Sequence, residues 1–442
     1  MKKLFKIKNS GMSTFQIILL CAFGACIGAG VIAFALYRGG SGQQTPAITI
    51  WGTADQTLMD SFINKAVGTK ANIYYVQKKA ATFATDLISA VATGKGPDAI
   101  LGTQAELFSN RALLTTIPYT SYAESTFQST YITEAQLFLQ PQGILAIPLG
   151  VDPLVMYWNK VILSNAGIVG APTTWSQLTA LVPKLTVADK AYNVTQSTVG
   201  MGDYVNVLNA KAIISLLMMQ AGNFIVAPDS STGDFTPIIG LNNTYTNEAA
   251  NALTFYTQFA NPTSPVYTWN RALPNSQDLF VANQLALYFG FASEYQTLAE
   301  RNPNLDFDVA IVPQLDKNAT AGAVTPNLTF GNIYGLAVLR SSTNGATAVS
   351  DIYSLTTQAA AASWTSLSGL APVRLDSMAA DPASPTAPIF NQSALWARGW
   401  NDPNAVATDK IFQTMVDSIT SGQQDPAGAV ATAQSQFGTV VQ

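Results

Sequence analysis

Fifteen residues restrict the fold of this chain more than any others: residues 144–158, ILAIPLGVDPLVMYW. The two apolar runs ILAIPL and LVMYW each have the length and composition of a strand buried on both faces. Between them stand Gly150, which breaks the pattern, and the pair Asp152-Pro153. A carboxylate set between two buried strands is costly unless it is paired or opens onto a cavity. Asp-Pro is also ordinary turn chemistry, and a surface turn accounts for it equally well. Beyond Asn159 and Lys160 the pattern turns helical over VILSNAG and stops at Gly167. Thr174-Trp-Ser-Gln177 then reads as a capping box, Thr174 accepting from the Gln177 amide while Gln177 reaches back.

Around this stretch, strand and helix patterns alternate. AITIW (47–51) reads as a strand, 53–67 as a helix with Leu58, Phe62 and Val67 on one face, and ANIYYV (71–76) as a second strand. Phe83, Leu87, Ile88 and Val91 fall at helical spacing, and a third strand starts at Asp98. Such alternation predicts parallel βαβ units with binding sites at the carboxyl ends of the strands. Further on, 211–221 and 248–259 read as helices, 223–243 as an exposed loop and hairpin, and 280–295 as a short helix passing into a strand. FDVAIV (307–312) is a further strand. The tail closes with two helices, the second opened by Asp425-Pro426.

The N-terminus carries a different signal. Residues 15–37 carry no charge, are apolar in nearly every position and are long enough to cross a bilayer. Lys2, Lys3, Lys6 and Lys8 precede them and only Arg38 follows closely, so the positive-inside rule puts the N-terminus (1–14) in the cytoplasm and everything after residue 38 outside. The span is longer than a signal-peptide core, which favours an uncleaved anchor over lipidation at Cys26. Residues 38–46 have linker composition. Both cysteines, Cys21 and Cys26, lie within the apolar segment. Setting aside Lys2, Lys3, Lys6, Lys8 and Arg38 leaves 17 basic against 26 acidic residues, a net of −9, which argues against nucleic acid as a partner.

The sequence contains no histidine. Ser-His-Asp and Cys-His catalysis and HExxH zinc sites are therefore closed to it, and no soft metal site or cofactor is expected. Gly94-Lys-Gly-Pro-Asp98 lacks the spacing of a phosphate loop and reads as helix-stop punctuation. Carboxylate-pair hydrolysis needs only Asp and Glu and stays open on composition.

Several of these segments resemble one family, the extracellular solute-binding proteins of ABC importers (family 1). Residues 148–178 follow its inter-lobe crossing almost residue for residue, and GKGPD (94–98) is among its most recognisable signatures. TFGNIYGLAV (329–338) and GLAPVR (369–374) are similar to its second and third crossings, and the helical tail also fits. The resemblance implies an α/β fold of two doubly wound lobes, of the type II-like periplasmic-binding kind. The first lobe would take 46–152 with 330–372, the second 153–329 with 373–442. It implies a monomeric, membrane-anchored protein that captures a mono- or oligosaccharide between the lobes and delivers it to an ABC permease. A membrane-anchored carbohydrate hydrolase and a sensor or surface-attachment protein on the same fold are the alternatives.

Site residues follow from the same resemblance. Asp152 falls at a crossing position that carries a ligand-contacting acid in related sugar binders. Trp51 ends the first strand at the cleft edge, with core packing as its alternative, and Asp55 follows in a loop, with helix N-capping as the rival role. The family stacks a tryptophan on sugar two residues after a glycine matching Gly290. This chain has Ala292 there, which leaves Phe291 or Tyr295 as the platform. Asn209 matches a polar position of the second lobe, Asn332 and Tyr334 lie beside the second crossing, and Arg374 and Trp400 lie in C-terminal regions that line the cleft in relatives. Trp158 is expected in the core.

Overall fold

The computed structural model describes residues 46–68, 72–191, 193–228, 235–316, 326–378 and 384–440. The expected anchor at 15–37 lies outside them, and among the described residues no helix is long and apolar enough to cross a membrane.

The first βαβ units form as their periodicity predicts. Strands β1 (Ile48–Gly52), β2 (Ile73–Gln77) and β3 (Ala99–Thr103) lie in the order β2-β1-β3 and pair in parallel. Helix α1 (Gln56–Val67) connects β1 to β2 and buries Met59, Phe62 and Ile63, a one-face stripe. Helix α2 (Phe83–Ala92) buries Phe83 and Leu87. Thr103 ends β3 and caps α3 (Gln104–Ser109) through a capping box with Glu106.

The two apolar runs of the opening stretch form one strand, not two. β4 spans Ile147–Asn159, thirteen residues that include Gly150, Asp152 and Pro153. Its partners change along its length, which is why a proline is tolerated mid-strand. Val151 still exchanges backbone bonds with Ala371, whereas Leu154 is already paired with a different strand. The proline's missing N–H falls at that handover.

Helix α4 (Trp175–Leu185) starts at Thr174, whose hydroxyl accepts from the Gln177 N–H at 3.3 Å. Gln177 reaches back one residue further than expected, to the Thr173 N–H at 2.8 Å. Strand β5 (Val194–Val199) and helix α5 (Ala210–Gln220) follow, α5 being buried on nearly every side. The segment at 223–243 is not simply exposed: it holds a hairpin, Val226–Pro228 with Phe235–Pro237, and Asn223, Ile225 and Ile239 are buried. After α6 (Asn243–Thr257) come β6 (Leu285–Phe291), α7 (Glu294–Arg301), β7 (Phe307–Ala310) and β8 (Thr329–Val338). Helices α8 (Gln358–Ser368), α9 (Ala387–Trp396), α10 (Ala405–Thr420) and α11 (Pro426–Val440) complete the chain. Gln434 of α11 bonds both Gly240 N–H and Pro237 carbonyl, which is how the C-terminus covers the hairpin.

Among the described residues one ten-stranded sheet runs through both lobes. Its main path is β2-β1-β3-β8-β4-β6-β5 and then a two-residue strand, Val187–Ala188; β7 pairs with β4, and Ala397–Arg398 pairs with β8. Among the described residues, β8 and β4 are the neighbouring strands that join β2-β1-β3 to β6-β5. Their register aligns Asn332 with Asp152 and Gly331 with Pro153.

Candidate ligand-binding cleft

The strand registers place the carboxyl ends of both half-sheets beside the crossing. In the first lobe β8 is antiparallel to β3 and pairs Tyr334 with Thr103, so the crossing residues 331–332 lie just past the carboxyl end of β3. In the second lobe β6 is antiparallel to β4 and pairs Phe291 with Leu154, so β6 ends at the crossing too. β5 runs parallel to β6 and ends on the same side. Loops at strand carboxyl ends are where open α/β sheets bind ligands.

On the first-lobe side, Trp51 is half-buried and the Lys78 ammonium sits 3.5 Å from its ring centroid, a cation–π contact at the edge of β1 and β2. Asp55 is exposed and caps α1, Oδ1 accepting from the Leu58 N–H at 3.0 Å. Asn332 Oδ1 accepts from Gln104 Nε2 at 3.1 Å, and Gln104 Oε1 takes the Ile333 N–H at 2.9 Å. Half-buried Tyr334 sits between them and Thr103, its hydroxyl pushed well above the usual tyrosine range by burial and by the nearby Asp152 and Glu106 carboxyls.

Asp152 is where the sequence puts it, at the crossing, but its carboxyl is 4% exposed and already engaged. Oδ1 accepts from the Ser293 N–H at 2.9 Å and Oδ2 from the Ser293 hydroxyl at 2.6 Å. Burial pushes its pKa up to about 7 against the pull of those two bonds, and neighbouring Glu294 adds to the rise. Both oxygens hold the turn that ends β6.

That turn is organised by Glu294, which the sequence reading missed. Its carboxylate accepts from Asn209 Nδ2 (2.8 Å), Gln277 Nε2 (2.7 Å), the Phe291 N–H (2.8 Å) and the Tyr288 hydroxyl. Asn209, held in the left-handed region at φ 65°, thereby joins the start of α5 to the end of β6. Tyr157 on β4 donates to the Phe291 carbonyl at 2.7 Å from behind. Phe291 itself is half-buried, edge-on to Phe330, and half-buried Tyr295 packs on Tyr157, Phe307 and Phe390. The signal for Glu294 was an acid in the first turn after Ser293, which by itself says only that a helix starts there.

Two further expected cleft residues are engaged by the protein itself. Arg374 forms an ion pair with Asp376 (2.7 Å), donates to the Thr356 carbonyl and covers the Tyr131 ring. Trp400 is buried in the packing of the C-terminal helices, stacked on Phe412 with Phe437 edge-on. Trp158, expected in the core, is partly buried against it. Among the described residues no group of three or more acidic side chains converges as a metal site.

Residues 57–392 match a family model described as bacterial extracellular solute-binding protein. No curated protein matches the sequence. Among solved structures, the fold is similar to a cyclo/maltodextrin-binding protein complexed with maltotetraose, at 17% identity and a TM-score of 0.70, covering 91% of this chain and 99% of that one. It is also similar to the cyclic α-maltosyl-1,6-maltose binding protein from Arthrobacter globiformis, at 16% identity and TM-score 0.69, covering 89% and 98%. A third is an ABC transporter solute-binding protein from Thermotoga lettingae bound with α-D-tagatose, at 18% identity and TM-score 0.65, covering 89% and 99%. At these identities the likeness establishes a shared two-lobed fold.

Proposed function

Because the chain belongs to the bacterial extracellular solute-binding proteins, we propose that it captures a mono- or oligosaccharide between its two lobes and delivers it to an ABC permease. The observation that carries this reading is the convergence of strand carboxyl ends from both half-sheets on one crossing, made by β4 and β8. The structural neighbours carrying maltotetraose and tagatose support the carbohydrate class. We assign residues 46–152 with 330–372 to the first lobe and 153–329 with 373–442 to the second, with 15–37 as a membrane anchor and the binding lobes outside.

A sugar presents hydroxyls in its ring plane and a C–H face above it, and amphipathic rings with amide and hydroxyl groups suit both. We assign ligand contact to Trp51, Asp55, Asn332 and Tyr334 from the first lobe and to Asn209, Phe291 and Tyr295 from the second. Asp152 and Glu294 act as positioning residues behind Phe291, since both oxygens of each accept from protein donors, whereas Asn209, Asn332 and Asp55 are engaged through one side-chain atom. The lobes hinge about the crossing strands and close over the ligand.

The test is a thermal-shift screen of the purified protein against maltotetraose, tagatose, other sugars, amino acids and polyamines. A bound sugar at about 100 times its Kd adds roughly 2.7 kcal/mol to stability, a readable shift. A shift with polyamines or amino acids and none with sugars overturns the carbohydrate assignment. Breakdown of the sugar during incubation overturns capture in favour of hydrolysis.

A further inference from the structure

The segment that follows α9 forms a seam with first-lobe elements. Asn401 Nδ2 donates to the Leu137 carbonyl at 3.1 Å. The Ser109 hydroxyl is 3.2 Å from the Asp402 carbonyl and 3.1 Å from that of Pro403. Phe108 meets Phe235 of the hairpin edge-on, centroids 4.6 Å apart. Residues 400–403 are in turn tied to α10, through Trp400 on Phe412 and Thr408 on Asp402, and to α5, through Lys211 on Asp402.

Glu134 lies in this seam, in the 3₁₀ turn Thr133–Phe138, and is 2% exposed. Its carboxyl faces the Gly399 N–H, and Oε1 has no hydrogen-bond partner among the described residues; nor does Asn401 Oδ1. Gln104, which also approaches Gly399, spends its amide on Asn332 and Ile333. The charged group that acts on Glu134 is Arg398, whose Nη1 is turned to the backbone carbonyls of Ala397 and Leu395. Burial pushes the Glu134 carboxyl up to about 8, with the Gly399 N–H and the Arg398 charge pulling partway down. A buried carboxylate with one oxygen unpaired is unfavourable, whereas the neutral acid is not. The other carboxyl of the crossing, Asp152, is held at both oxygens by Ser293.

We propose that lobe closure is proton-linked: Glu134 is neutral beneath a closed seam and ionises when residues 399–403 move away and water reaches it. Closing over solute then takes up a proton, so acid favours the closed form and closure weakens as pH rises. The inference rests on the two-lobed capture reading above, and it assigns Glu134 a role in closure, not in ligand contact.

The experiment uses the full chain in detergent micelles, titrated calorimetrically with maltotetraose in phosphate and in Tris. The apparent Kd is expected to rise about tenfold per pH unit between roughly pH 5.5 and 7.5, with a binding enthalpy that differs between the buffers. Glu134→Gln should bind with a flat pH profile and no buffer dependence. A ligand-free arm places spin labels at Ile88→Cys in the first lobe and Val169→Cys in the second, both exposed, with Cys21 and Cys26 changed to Ser. Acid should shift the label distances toward the shorter population in the otherwise wild-type chain and not in Glu134→Gln. If maltotetraose fails to bind, the sugar assignment falls alone and the label distances still decide this one. A pH-independent wild type, or an equal dependence in Glu134→Gln, overturns it. Should Glu134→Gln not fold, Arg398→Met decides: the midpoint moves to higher pH if Glu134 carries the effect, and an unmoved midpoint overturns it.

Discussion

Asp152 shows what a single residue discloses from sequence and what it withholds. A carboxylate between two apolar runs had to have a partner or a cavity, and that much was legible. The partner was not, because Ser293 lies 141 residues away and has no local signature. With both oxygens committed, Asp152→Ala strands two donors of the turn that ends β6 and is expected to cost about 2–3 kcal/mol. Asp152→Asn keeps one acceptor and should lose less. Urea denaturation midpoints of the two variants check the order, and equal losses would mean that Ser293 finds other partners. Glu134 left no trace in the sequence at all. Its carboxyl oxygen lies against Gly399, far from it in the chain. Trp400 and Arg374 had partners that were equally illegible: the one stacks on Phe412 and the other pairs with Asp376.

At the scale of elements, periodicity carried most of the weight. The βαβ units, α4 with its Thr174 cap and the two terminal helices stand close to where the patterns put them. What periodicity missed was the continuity of β4, because glycine and proline are read as breaks when the local pattern alone is considered. A strand that changes partners midway removes the reason for the break. The glycines near the crossing, by contrast, are there for close approach. A Cβ on Gly399 would lie 2.6 Å from Glu134 Oε1 and 2.7 Å from the Gly331 carbonyl oxygen. The side-chain oxygen can retreat but the backbone one cannot, so Gly399→Ala is expected to destabilise by about 1–3 kcal/mol. Gly167→Ala serves as a comparison, since its cost comes from a left-handed φ of 73° with open space around it. A chemical-denaturation series distinguishes the two: only the Gly399 change should also alter the energetics of the seam, seen as a changed pH profile.

For the molecule as a whole, the family resemblance made the two-lobed architecture legible before any geometry. The chain's composition added exclusions, chiefly from the lack of histidine. The details of the cleft were less accessible, since they depend on which side chains are left free after the protein has satisfied its own polar groups. The sheet also carries a consequence for how the chain comes to be folded. β3 ends at Thr103, yet its partner on β8 is Tyr334, and everything between belongs to strands and helices that precede that pairing. The first half-sheet therefore cannot be completed until residue 338 is available, while β4 to β7 can associate earlier. Long-range pairings of this kind slow folding. Pulse-labelled hydrogen exchange during refolding should protect β5, β6 and the later half of β4 before β1 and β3; simultaneous protection would show that the lobes fold as one. A chain emerging from its N-terminus would thus leave one edge of β3 open until residue 338 had arrived, a built-in delay in sealing the first half-sheet against the second.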